Sequence, residues 1–204
     1  MQIAVLGFDG CLGSSLLGPV DMLTLALKMI SKRGQPEPYS VSTVSFDGCS
    51  IEDGIGRRLD VDASFDEIGE CAAILVSGYF CELGHAFPAT PAIGAAAAWI
   101  RQQHARGAII CGSCNGVFLL GEAGLLDGRR CTTTWWRHDE LKNRYPRADA
   151  AWGASLIEDG RVVAAGGPLS WIDLSLHVIR KLCGASPRRP ASQHCLPDSL
   201  DCSC

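Results

Sequence analysis

Short runs of branched and small apolar residues recur along the chain, each followed by a segment whose apolar positions repeat at helical spacing. The run at 2–8, QIAVLGF, is apolar almost throughout, as a strand buried on both faces should be. Residues 18–32, GPVDMLTLALKMISK, predict a helix, with Pro19 suited to its first turn and Gly34 just past its end. Residues 39–46, YSVSTVSF, alternate like a half-exposed strand, and 57–63, RRLDVDA, read as one arm of a small hairpin after the turn-rich GCSIEDGIG. A buried strand follows at 72–77, a helix at 91–105, and another strand in GAIIC at 107–111. Beyond it, 115–126 is helical in pattern, WWRHDELKNRYPR is helical up to Pro146, and 162–165 reads as a late strand. Residues 170–183, SWIDLSLHVIRKLC, form an amphipathic closing helix.

This alternation predicts an α/β sandwich of three layers, with a mostly parallel central sheet covered by helices on both faces. One domain over 1–184 accounts for it, and in such a sheet the site lies at the carboxyl ends of the strands. Residues 185–204 carry prolines and cysteines but no helical or strand period, so an irregular extension is expected there. No segment with the pattern of a DNA-binding domain is present.

Composition narrows the class. The 204 residues are 47% hydrophobic and 20% charged, ample for a real core. With 18 basic against 22 acidic residues, the formal charge of −4 gives no general attraction for nucleic acid. No apolar stretch approaches the roughly 18 residues of a membrane span. MQIAVLGFDG lacks a basic start and meets Asp9 too early for a signal peptide, so a cytoplasmic location is expected. Eleven cysteines would suggest disulfides in a small secreted chain, but most sit singly in apolar runs, where a reduced thiol acts as a small hydrophobe.

The candidate chemistry lies in GAIICGSCNGVFLLGEAGLLDGR, residues 107–129. Gly112-Ser113-Cys114-Asn115-Gly116 fits a nucleophile flanked by glycines between a strand and a helix. Such a residue sits in a strained conformation that only small neighbours tolerate, and the following helix end should favour a thiolate. Cys111 reads as core filler. A redox pair with Cys114 explains the spacing less well, as does a zinc site drawing on His194, Cys195, Cys202 and Cys204.

The segment CNGVFLLGEAGLLDGRRCTTTWW resembles the ThiJ/PfpI superfamily, relatives of class I glutamine amidotransferases, and most of all the amidotransferase-like N-terminal domains of AraC-type transcription regulators. SSLLGPVDML near the start and GGPLSWIDLSLHVI near the end agree, so the resemblance spans about residues 1–184 in order. It implies a flavodoxin-like fold, usually a homodimer, with Cys114 at the nucleophile elbow. It also implies a histidine where this chain has Thr134, in Thr132-Thr133-Thr134-Trp135, and an acid where it has Ser15. Neither Thr nor Ser serves as a base near pH 7. The reading is therefore a ligand-sensing or dimerisation domain of a regulator, without catalysis. It calls for no cofactor and no metal, no membrane, and no nucleic-acid contact by this chain itself.

A pocket formed by Cys114, Gly78, Tyr79, Asn115, Ser15 and Thr134 suits a small carboxylate, carbonyl or amide ligand. His138, four residues past Thr134, is a candidate substitute base, although a solvated surface histidine is the plainer reading; Glu82 is a candidate for the missing acid. Asp173 and His177, four apart on the closing helix, read as an intrahelical pair or as packing residues rather than as catalytic groups, and Trp135, Trp136 and Trp171 either wall a pocket or pack the core and a dimer interface. Two other readings stay open. One is a cysteine-dependent hydrolase, hydratase or lyase using Cys114, and the other a redox sensor through Cys114 oxidation.

Overall fold

The structure is a computed structural model that describes residues 1–31, 38–79 and 90–183. Seven strands form one sheet: β1 (Gln2–Leu6), β2 (Ser40–Ser45), β5 (Ala63–Ser64), β6 (Cys71–Val76), β7 (Ile109–Ser113), β10 (Leu156–Asp159) and β11 (Val162–Ala165). Their order across it is β10-β11-β7-β6-β1-β2-β5. All neighbours run parallel except β10, which lies antiparallel to β11. Two small ribbons stand apart, one pairing β3 (Ile51–Glu52) with β4 (Arg58–Leu59), the other β8 (Arg130–Cys131) with β9 (Asp149–Ala150).

Among the described residues, α1 (Gly13–Ser31), α2 (Pro91–Ala105), α3 (Val117–Glu122) and α5 (Ser170–Cys183) pack on the sheet, while α4 (His138–Arg144) lies against β9. The strand period of two divides the core between its faces. Ala4, Leu6, Ile74, Val76 and Ile110 join residues of α2 and α3 in one cluster, while Ile3, Val5, Leu75, Cys111 and Val163 join α1 and α5 in the other. Helices on both sides of a mostly parallel sheet make this the flavodoxin-like α/β sandwich that the pattern predicts.

Three elements differ from expectation for physical reasons. α1 begins at Gly13 rather than 18, which places Pro19 inside the helix. Proline has no N–H to give the Ser15 carbonyl, but the Ser77 hydroxyl donates to that oxygen at 3.1 Å, so the break is filled from β6's end. The helix after the elbow opens with a 3₁₀ turn, Cys114–Gly116, and ends before Gly124, which takes φ 71. Finally, β10 pairs with β11 through the two-residue turn Gly160-Arg161, with glycine at φ 64 in the first position, a hairpin signal, where strand–helix alternation alone predicts only the second of the two strands. Among the described residues, no helix is long and apolar enough to cross a membrane.

Candidate functional site

The chain reverses at the carboxyl end of β7 within one residue. Ser113 is extended, at φ −100 and ψ 138, and Cys114 takes φ 54. Among the described residues, Cys114 is the one non-glycine residue with positive φ. That conformation costs about 1 kcal/mol or more in an L-residue with a Cβ, so the surroundings must enforce it. They do so by backbone approach. A Cβ on Gly112 would lie 3.0 Å from the Cα of Val117, and one on Gly116 would overlap the Ser77 carbonyl oxygen. Gly78, just past β6, packs so close that a Cβ there would be 3.1 Å from the Cβ of Cys114. Glycine at 78, 112 and 116 is what lets the ends of β6 and β7 close on the turn.

The sulfur so placed is 3% exposed as a residue. Burial pushes the Cys114 thiol up to about 11, against the backbone N–H of Asn115 and the charge of Arg137, which both pull it down. The N–H at the helix end does favour the thiolate, as expected, but burial outweighs it. Desolvation dominates, and the helix beyond the turn has only six residues.

Hydroxyls and an amide organise the surroundings. The Thr134 hydroxyl, fully buried, donates to the Asn115 side-chain oxygen at 3.0 Å. The Asn115 amide nitrogen donates to the Tyr79 carbonyl at 3.3 Å. Thr134 thus serves as a strut that fixes Asn115, and its one proton is already committed. Ser15 is tied down as well: its hydroxyl donates to the Leu12 carbonyl at 2.8 Å and lies 3.4 Å from that of Gly78. Cys114, Gly78, Asn115, Ser15, Thr134 and Tyr79 therefore do gather at the carboxyl ends of β1, β6 and β7.

Other candidates lie elsewhere. The ring nitrogens of His138 face Asp139 at 3.1 Å and the Ala150 carbonyl at 3.1 Å, toward β9 and away from the sulfur. Glu82 and the tail cysteines lie outside the described residues. Cys111 is buried with a free thiol in the cluster shared with α1 and α5, and its thiol is not bonded to Cys114.

One residue was invisible to the sequence pattern. Arg137 is 2% exposed, ion-paired to Glu140 at 2.6 Å, with its Nη2 donating to the Tyr79 hydroxyl at 3.2 Å. Its guanidinium also sits 5.0 Å from the Phe118 ring centre. In WWRHDE an arginine reads as a solvated helix face; only the 3₁₀ turn Trp135–Arg137 swings it inward.

The chain is 32% identical over 148 residues to a Streptomyces lividans protein from the cpoL 5′ region, covering 71% of this chain and 95% of that one. It is 29% identical over 155 residues to the HTH-type transcriptional regulator CdhR of Pseudomonas aeruginosa, covering 76% of this chain and 44% of the regulator. An isonitrile hydratase of Pseudomonas putida matches at 35% over 88 residues, 42% of this chain and 36% of the hydratase. The chain thus spans less than half the length of both the regulator and the hydratase. Among solved structures, an AraC family transcriptional regulator from Pseudomonas putida superposes with a TM-score of 0.71 at 20% identity, over 90% of this chain and 93% of that one. Drosophila melanogaster DJ-1beta gives a TM-score of 0.71 at 16% identity, with 90% of each chain covered. The match to the DJ-1/PfpI family runs over residues 1–181, from β1 through nearly all of α5, and with the elbow at Cys114 it makes this chain a member of that family.

Proposed function

We propose that this chain is a ligand-sensing, dimer-forming domain of the kind found in transcription regulators, and that it does not catalyse a reaction. The observation carrying this reading is the Thr134 hydroxyl bonded to Asn115 where an active relative would place a base. A neutral thiol beside a committed hydroxyl has nothing to take its proton, so attack at neutral pH is suppressed. What remains is a small polar site of hydroxyls, an amide and backbone donors, suited to a small carboxylate, carbonyl or amide. Homodimerisation, a cytoplasmic location and the absence of direct DNA contact complete the reading.

The strained elbow supports a second reading, a cysteine-dependent hydratase, hydrolase or lyase in which Cys114 attacks and Gly78 and Asn115 hold the oxyanion. One experiment separates them. The purified chain is incubated with isonitriles, dicarbonyls and small amides, and its melting temperature is followed against a panel of small carboxylates and amides. Sensing predicts no turnover and a ligand that raises the melting temperature of the wild type but not of Cys114→Trp. Turnover abolished by Cys114→Ser would overturn it.

A further inference from the structure

The conformation of Cys114 needs an external clamp, and both polar groups of its backbone have one. On the amide side, the Cys114 N–H donates to the Ser170 hydroxyl oxygen at 3.2 Å. That hydroxyl donates its single proton to the Ala165 carbonyl at 3.1 Å, which fixes its orientation and leaves its lone pairs for Cys114. On the carbonyl side, the Thr133 hydroxyl donates to the Cys114 oxygen at 2.9 Å. Ser170 is 4% exposed and Thr133 is 3% exposed, so no water competes for either bond.

The two clamps come from separate segments that are themselves locked together. A Cβ on Gly166 would lie 2.7 Å from the Thr133 carbonyl, so the β11–α5 loop rests on the backbone of Thr133. Ser170 opens α5, and its neighbour Trp171 lies against Gly18 of α1. The polarity runs one way, from the Cys114 N–H to the Ser170 oxygen and from the Ser170 O–H to Ala165. A methyl group at 170 would leave a buried N–H without a partner at the strained residue itself.

We infer that Ser170 is a positioning residue of the elbow: its hydroxyl holds Cys114 in the left-handed conformation and so aims the sulfur at the Asn115 N–H. This deepens the reading of the elbow as the ligand-facing site and rests on it for its purpose. The test, however, reads the thiol alone, and needs neither a ligand nor turnover.

The rate of Cys114 alkylation is measured by site-resolved mass spectrometry between about pH 7 and pH 8.5, where the fold holds, in the wild type, Ser170→Ala and Ser170→Thr, with exposed Cys49 as internal reference. Iodoacetamide is compared with the bulkier N-ethylmaleimide: a change common to both reports ionisation, while one that grows with reagent size reports access. Losing the Asn115 N–H from the sulfur slows labelling of Ser170→Ala by about tenfold with both reagents, equivalent to about one pH unit less thiolate. Ser170→Thr, which keeps the hydroxyl, restores the wild-type rate, and Cys49 does not change in any variant. A folded Ser170→Ala that labels at the wild-type rate or faster overturns the inference, as does a loss that Ser170→Thr fails to reverse. Should Ser170→Ala not fold, Thr133→Val removes the other clamp and must slow labelling in the same way. A ligand that fails to bind leaves these outcomes unchanged, so the two readings fail separately.

Discussion

At Cys114 the backbone and the side chain make opposite demands. The φ of 54 suits glycine, while burial of the residue rewards an apolar side chain. Comparing Cys114→Ala with Cys114→Gly isolates the backbone part: glycine should be the more stable by about 1 kcal/mol in denaturant melts, the reverse of the order at an ordinary buried position. A glycine variant less stable than the alanine one would mean that the elbow is not strained. The strut at 134 gives a second residue-scale expectation. Thr134→Val keeps the shape but strands the Asn115 oxygen in a buried site, and should destabilise by about 1–3 kcal/mol in the same melts. At this scale the sequence was partly readable. Glycines around a cysteine marked the elbow, and the family resemblance drew attention to Thr134. The partner of that threonine, the inward swing of Arg137 and the raised thiol were not readable, because each depends on what the fold packs nearby.

Secondary structure was the most legible level, since continuous apolar runs mark the buried strands and a period of 3.6 marks the helices between them. α2, β11 and α5 begin and end where the pattern puts them. The errors came where tertiary contact overrides local preference, as at Pro19, whose missing bond is supplied by Ser77 from just past β6. The same contest makes two helical glycines diverge. Gly94 in α2 has nothing within contact of an added Cβ, so Gly94→Ala should gain the usual helix preference, about 0.5–1 kcal/mol. Gly18 in α1 faces the Trp171 ring, which an added Cβ would overlap, so Gly18→Ala should instead lose about 1–3 kcal/mol as α1 and α5 are pushed apart. Thermal melts of the two variants should move in opposite directions. If Gly18→Ala also stabilises, the packing of α5 on α1 is looser than described.

For the whole molecule, the abundance of cysteine becomes a stability argument rather than a functional one. Burial pushes Cys11, Cys71, Cys114 and Cys131 up to about 11, and Cys111 to about 12, from an ordinary value of 9.0. Tyr145, half-buried and donating to Glu122 at 2.6 Å, is raised as well. A folded-state value above the unfolded one means that the unfolded chain releases its protons first as pH rises. These groups therefore contribute their full stability below about pH 9, and the contribution drains away between about pH 9 and pH 12. Near pH 10 the loss is about 1 kcal/mol for each buried thiol, so several together should unfold much of the protein. Urea midpoints should be level from about pH 7 to pH 8.5 and fall steeply beyond. Cys131→Ala should show a shallower fall, because it removes one titrating group, even if its midpoint at neutral pH is lower. A stability level to about pH 10 would mean that water reaches these thiols, and with them the sulfur at the elbow, whose protonation the non-catalytic reading requires.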